Sequence, residues 1–184
     1  MPRNLLAPLL AAACLCAPLA AAPLQLKVDT SASTIHFTAD ATLHSFEGWM
    51  RSWHLALSMP EGAELPDSVV LKGDTRSLTT VHEKRDKEMH HWLEDEKLPD
   101  LVFRLSRFSG TPEARVAEGE LTLHGSTVPV AFPVQVQRDG SRLTISGQAQ
   151  LDTRQFGLPQ FRKFGLLSVD TEVRIDFKVT GVLE

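Results

Sequence analysis

Residues 143–151 read LTISGQAQL. Leu143, Ile145, Gly147, Ala149 and Leu151 share one side of an extended chain, and Thr144, Ser146, Gln148 and Gln150 share the other. A period of two with one apolar and one polar side is the pattern of a strand covered on a single face. The apolar row is large at its ends and small in its middle, where Gly147 and Ala149 stand. A covered face with a hollow middle suits a sheet wrapped around a space.

The same alternation runs outward in both directions. Val128, Val130, Phe132, Val134 and Val136 alternate with Pro129, Ala131, Pro133 and Gln135, and Val173, Ile175, Phe177 and Val179 with Arg174, Asp176 and Lys178. Upstream, Ala117, Gly119, Leu121 and Leu123 oppose Glu118, Glu120 and Thr122. Leu101, Phe103 and Leu105 form another row, Val69, Leu71, Gly73 and Thr75 another within Ser68–Leu78, and Ile35 and Phe37 another within Thr34–Asp40. In Phe46–Leu57, Gly48 reads as a bulge or bend, after which Trp49, Trp53, Leu55 and Leu57 share a face. Pro129 and Pro133 each remove a ladder donor, so their strand is expected at an edge or locally irregular. His124-Gly125-Ser126 reads as a tight turn.

About eight strands with one covered face and mostly short connections predict an all-β, antiparallel sheet. Small inward positions recur at Gly73, Thr75, Ala117, Gly119, Gly147 and Ala149. An eight-stranded barrel is just wide enough to be filled by its own side chains or to hold one small ligand. The expectation is a barrel with a cavity. The alternative is a filled barrel or sandwich, serving as an interaction module, in which the glycines mark bends.

One stretch breaks the β pattern: Val81–Pro99, VHEKRDKEMHHWLEDEKLP. It predicts an inserted helix ended by Pro99. Met89, Trp92 and Leu93 form an apolar patch suited to covering a barrel mouth, and Arg85 would pin the segment to the wall. His82, Asp86 and His90 recur every four residues on one helix face, a spacing that suits a divalent metal, although a solvated polar face has the same pattern. A second irregular stretch, Gln155–Gly165, carries Phe156, Phe161 and Phe164 and with Trp92 would gate entry. There is no nucleophile elbow, no phosphate-cradling glycine loop and no HExxH, so no enzyme is expected.

The chain has 184 residues and a net charge of −4, which argues against a nucleic-acid partner. Residues 1–22 have the form of a secretory signal peptide, with Arg3, an apolar run from Leu5 to Ala17 and small residues Ala20–Ala22. A short membrane anchor and a lipidated Cys14 are the other readings of that segment. Both cysteines, Cys14 and Cys16, lie within it, so residues 23–184 would form a single domain without thiols. Past this leader no run is long and apolar enough to span a bilayer, so no stable membrane span is expected.

Several segments together resemble the YceI-like family. They are Leu43-His44-Ser45-Phe46-Glu47-Gly48, Lys84-Arg85-Asp86 through Glu96-Lys97-Leu98-Pro99, Gly119–Gly125 with Val128-Pro129-Val130, and Leu151-Asp152-Thr153 with Phe156-Gly157-Leu158. The resemblance implies a lipocalin-like antiparallel barrel, periplasmic or secreted, that holds a polyisoprenoid or isoprenoid quinone without covalent chemistry. On that reading Phe37, Leu71, Phe103, Leu121, Phe132, Ile145 and Phe177 line the wall, and Gly73, Gly119 and Gly147 supply the space. No cofactor is expected beyond the bound lipid. The expected partner is a hydrophobic small molecule, with a homodimer also compatible.

Overall fold

The computed structural model describes residues 22–163 and 167–184. The expected leader up to residue 21, with both cysteines, and Phe164 lie outside the described residues. The strands are β1 (Leu24–Val28), β2 (Thr34–Ala41), β3 (Phe46–Met50), β4 (Trp53–Met59), β5 (Ser68–Asp74), β6 (Leu78–Thr79), β7 (Asp100–Thr111), β8 (Ala114–Leu123), β9 (Ser126–Asp139), β10 (Arg142–Asp152), β11 (Arg162–Lys163) and β12 (Leu167–Leu183). One α-helix, α1 (Glu83–Leu93), and two short 3-10 turns, Thr75–Ser77 and Thr153–Phe156, complete the description.

Eight strands close an antiparallel barrel in the order β1-β4-β5-β7-β8-β9-β10-β12, with β1 pairing β4 on one side and β12 on the other. Closure depends on the length of β12. Its C-terminal residues Gly181–Leu183 pair with β1, whereas Val169–Lys178 pair with β2. β2, β3 and β6 therefore branch from the same edge and carry the wall on at the other end. β1 was not among the expected strands. Its apolar residues Leu24, Leu26 and Val28 do alternate, but five residues beside an apolar leader make a weak signal.

β9 accounts for its two prolines. It pairs with β8 from Ser126 to Pro133, but with β10 only from Val134 to Asp139. On the β10 side the proline-bearing half is thus an open edge, where a missing donor costs little. The 3-10 turn Thr153–Phe156 packs against β9 here, and Phe156 and Leu158 are each 1% exposed. The hairpin from β8 to β9 turns on His124 and Gly125, at φ 49° and 71°, the left-handed pair that a tight two-residue hairpin requires.

Three local expectations are corrected. The helix stops at Leu93, well before Pro99, because Glu94 adopts the left-handed cap conformation and its N–H bonds to the His90 and His91 carbonyls. Gly48 lies in regular register opposite Phe37 and marks no bulge. The chain breaks instead at Arg51–Ser52, so Trp49 faces outward under the Arg51 guanidinium, 5.6 Å from the ring centroid, and does not share a face with Leu55. Ser68–Leu78 divides at the turn Thr75–Ser77, where buried Thr75 ties to the Pro99 carbonyl through both its N–H and its hydroxyl.

The hydrophobic core has two parts. At the end closed by β1, Leu26, Leu57, Met59, Leu143 and Leu183 fill the barrel. At the other end, Leu93 of α1 packs with Leu121, Phe156 and Leu158. The space between them is not filled by side chains.

Candidate functional site

That space is a cavity of about 490 Å³, opening at the end where α1 lies. Its size falls within the ~300–1,000 Å³ common for small-molecule sites. The filled-barrel alternative is thereby set aside: the barrel is solid only at its closed end. Among the expected wall and gate residues, Phe37, Leu71, Trp92, Phe103, Leu121, Phe132, Ile145, Phe156, Phe161 and Phe177 all line the cavity. Phe37, Phe103, Phe132 and Phe177 point inward yet stay only half-buried, because the surface they keep faces the cavity.

Gly73, Gly119 and Gly147 do not line it, and the expectation that they supply its space is corrected. Each glycine is the seat of a neighbouring side chain. A Cβ on Gly119 would stand 2.8 Å from the Phe103 ring and 2.3 Å from the Arg104 carbonyl oxygen. On Gly147 it would stand 2.8 Å from the Phe177 ring and 2.5 Å from the Pro133 oxygen, and on Gly73 2.5 Å from Met50 Sδ. The glycines let rings lie flat on the wall. Phe103, Phe132 and Phe177 then form a row around the inner wall, with centroids 5.4 and 5.7 Å apart, within the range of favourable aromatic pairs. The room comes instead from alanines. Ala39, Ala41, Ala117 and Ala149 all line the cavity. Ala117 and Ala149 were legible as small inward residues, whereas Ala39 and Ala41 were missed although they continue the alternation of Ile35 and Phe37.

The mouth lies between α1, the β2–β3 connection and the start of β12. Lys84, Arg85, Glu88, Met89 and Trp92 border it from the helix, and Leu43, His44 and Phe46 from the opposite rim. The Arg85 guanidinium sits 4.4 Å from the centre of the Phe46 ring, a cation–π contact that ties α1 to β3 as expected. Trp92 donates from Nε1 to the Pro159 carbonyl oxygen at 2.8 Å, strapping the helix to the loop that follows Phe156. Phe156 itself is a fixed wedge, not a gate. Phe161 borders the open cavity.

His82, Asp86 and His90 do not converge on a metal. His82 is the N-cap of α1, its Nδ1 accepting from the Arg85 N–H at 3.4 Å. Asp86 turns inward and accepts from Thr79 Oγ1 at 2.7 Å, the Thr80 N–H at 2.7 Å and Thr80 Oγ1 at 2.5 Å. Burial works against its charge, but these hydrogen bonds prevail, and the carboxyl titrates below the ordinary carboxylate value. His90 Nδ1 lies 2.6 Å from Asp95 Oδ2. Among the described residues no group of three potential ligands is placed to hold a metal ion. The histidine- and acid-rich helix is explained by docking: Asp86 binds its start to β6, and Glu94 reaches His124 Nε2 at 3.3 Å from its end.

The fold and cavity have counterparts. A UPF0312 protein of Vibrio cholerae is 26% identical over 184 residues, covering 93% of this chain and 94% of its own. A UPF0312 protein of Pseudomonas aeruginosa is 29% identical over 124 residues, 63% of each chain. Among solved structures, Burkholderia cenocepacia BcnA superposes with a TM-score of 0.74 at 18% identity, covering 85% of this chain and all (100%) of its own. A polyisoprenoid binding domain from Saccharophagus degradans superposes with a TM-score of 0.65 at 16% identity, covering 88% and 98%. At such identities the superpositions speak for the fold. The YceI-like domain matches residues 26–181, from the strand that closes the barrel to the end of the longest strand, and the chain belongs to that family.

Proposed function

We propose that the protein binds an apolar lipid of the polyisoprenoid or isoprenoid-quinone type inside the barrel and performs no covalent chemistry on it. One observation carries this: a cavity of about 490 Å³ walled by aromatic and aliphatic side chains, with charged groups confined to its rim. Burying an isoprenoid tail there gains ~25 cal/mol per Å² of apolar surface removed from water. The description of the Saccharophagus degradans domain as polyisoprenoid-binding supports the same ligand class for this chain. The form of residues 1–22 supports export to the periplasm or beyond after cleavage, which N-terminal sequencing of the protein from fractionated cells checks.

The direct test is organic extraction of the purified protein with mass spectrometry of the extract, beside native mass spectrometry of the intact complex. One prenyl lipid per chain is the expected result. Protein that carries no lipid and takes none up from vesicles would overturn the proposal.

A further inference from the structure

The two most exposed large apolar side chains among the described residues stand at the same end of the barrel. Leu43 is 77% and Val81 72% exposed, whereas the next, Val182, is 39% exposed and belongs to the closed floor, opposite Lys27 of β1. Leu43 lies in the β2–β3 connection and borders the cavity mouth. Val81 precedes α1, in a shallow outer depression that shares His44, Phe46 and Arg85 with the mouth. Both tips therefore stand beside the Arg85–Phe46 contact at the entrance.

Val81 is held outward at a cost. Its φ is 58°, in the left-handed region that a β-branched residue rarely enters. Its N–H donates to Thr79 Oγ1 at 3.0 Å, and Thr79 Oγ1 donates in turn to Asp86. The network that docks the start of α1 thus fixes Val81 in this pose. Asparagine suits such a backbone better and would expose no apolar group. Folding by itself gives no reason for a valine here.

Single exposed apolar residues are common on protein surfaces. This pair borders the opening of an apolar cavity. A prenyl chain that passes from a bilayer into that opening without meeting water must do so while the rim touches the membrane. Resting on the lipid-binding reading, we propose that the mouth docks on a bilayer of zwitterionic lipid, with Leu43 and Val81 dipping into the interface. The charges bordering the mouth suit that surface. Lys84 and Arg85 stand with Glu88 and Asp170, so both signs are present, as they are in a phosphate–ammonium headgroup. The net charge of −4 gives no long-range attraction to an anionic membrane. Attachment to a lipid interface grows with the apolar area buried, so two side chains make a weak, brief contact. A carrier that must leave with its load needs no more.

The test measures partition of the purified protein onto phosphatidylcholine–phosphatidylethanolamine vesicles, by sedimentation across a lipid titration. Wild type should partition equally at low and high salt. Leu43→Ser and Val81→Asn should each weaken partition by about five- to tenfold, and the double variant by the product. Val81→Asn should keep or raise Tm, whereas a structural role for the valine would lower it. Wild type that partitions no better than the folded double variant overturns the inference. So does partition that high salt abolishes, because charge and not the apolar tips would then carry it. A wild-type dimer in sedimentation velocity that the double variant breaks, without partition onto vesicles, assigns the patch to a second copy and also overturns it. Extraction and mass spectrometry of the same preparation separate the two readings. Protein that holds a prenyl lipid but does not partition loses the docking inference and keeps the lipid-binding reading. Protein that neither holds nor takes up any lipid loses both.

Discussion

The floor and the upper wall of this barrel are made from the same alternating strands, yet they are different materials. At the floor, Leu143 and Met59 are fully buried and touch protein on every side. On other strands of the barrel, β7, β9 and β12, Phe103, Phe132 and Phe177 present ring faces to open space. Close packing at one end holds the fold, and the absence of packing at the other makes the site. Stability and ligand binding are therefore carried by separate halves of one core.

Substitutions separate the two halves. Leu143→Ala removes three carbons from a site with no room to relax, and should cost about 3–5 kcal/mol in urea unfolding. Phe132→Ala, though a larger truncation, removes a half-exposed ring and should cost about 1–2 kcal/mol, well under the ~3–5 of a buried phenylalanine. It should nonetheless weaken prenol uptake. Equal losses of stability at the two sites would mean that the upper wall is packed as tightly as the floor.

The ring seats lie between these extremes. Gly119→Ala and Gly147→Ala each push a methyl against a backbone oxygen, and should cost about 1–3 kcal/mol by displacing the neighbouring strand and its ring. Stability unchanged in both variants would show that the rings do not need the glycine surface.

The lid tests the open end more gently. Asp86→Asn gives up a charged acceptor that serves three donors, and should cost about 1–3 kcal/mol. It also predicts an acid dependence. The folded carboxyl titrates below its ordinary value of 3.8, so its contribution is complete above that value. The contribution is lost as pH falls through the lower, folded value. Wild type should lose stability over that window, and Asp86→Asn should lack this part of the slope. Trp92→Phe has the smallest expected effect. It removes the bond to Pro159, worth about 0.5–1.5 kcal/mol, and trims the indole to a phenyl ring, and stopped-flow ligand release should accelerate with little change in Tm.

The site was legible where one residue speaks for itself. Large inward residues such as Phe37, Phe103, Phe132 and Ile145 could be placed on the wall from alternation alone, because a strand shows its faces locally. The glycines misled because an absent side chain reads as empty space. Whether that space stays empty depends on rings from the adjacent strands, Phe103 over Gly119 and Phe177 over Gly147. His82, Asp86 and His90 left a metal and a solvated face both open, because a shared helix face does not show that Thr79 and Thr80 already occupy the carboxylate.

Alternation by itself determined that the chain forms a largely antiparallel sheet with one covered face, interrupted by a helix with an apolar patch. Those properties are set within a few residues of each other, by strand pleat and helix period. Only the tertiary structure decided that β12 divides its edge between β1 and β2, that the far end is sealed, and that alanines leave the hollow. These depend on which distant strands meet and in what register, and register is a property of pairs of strands.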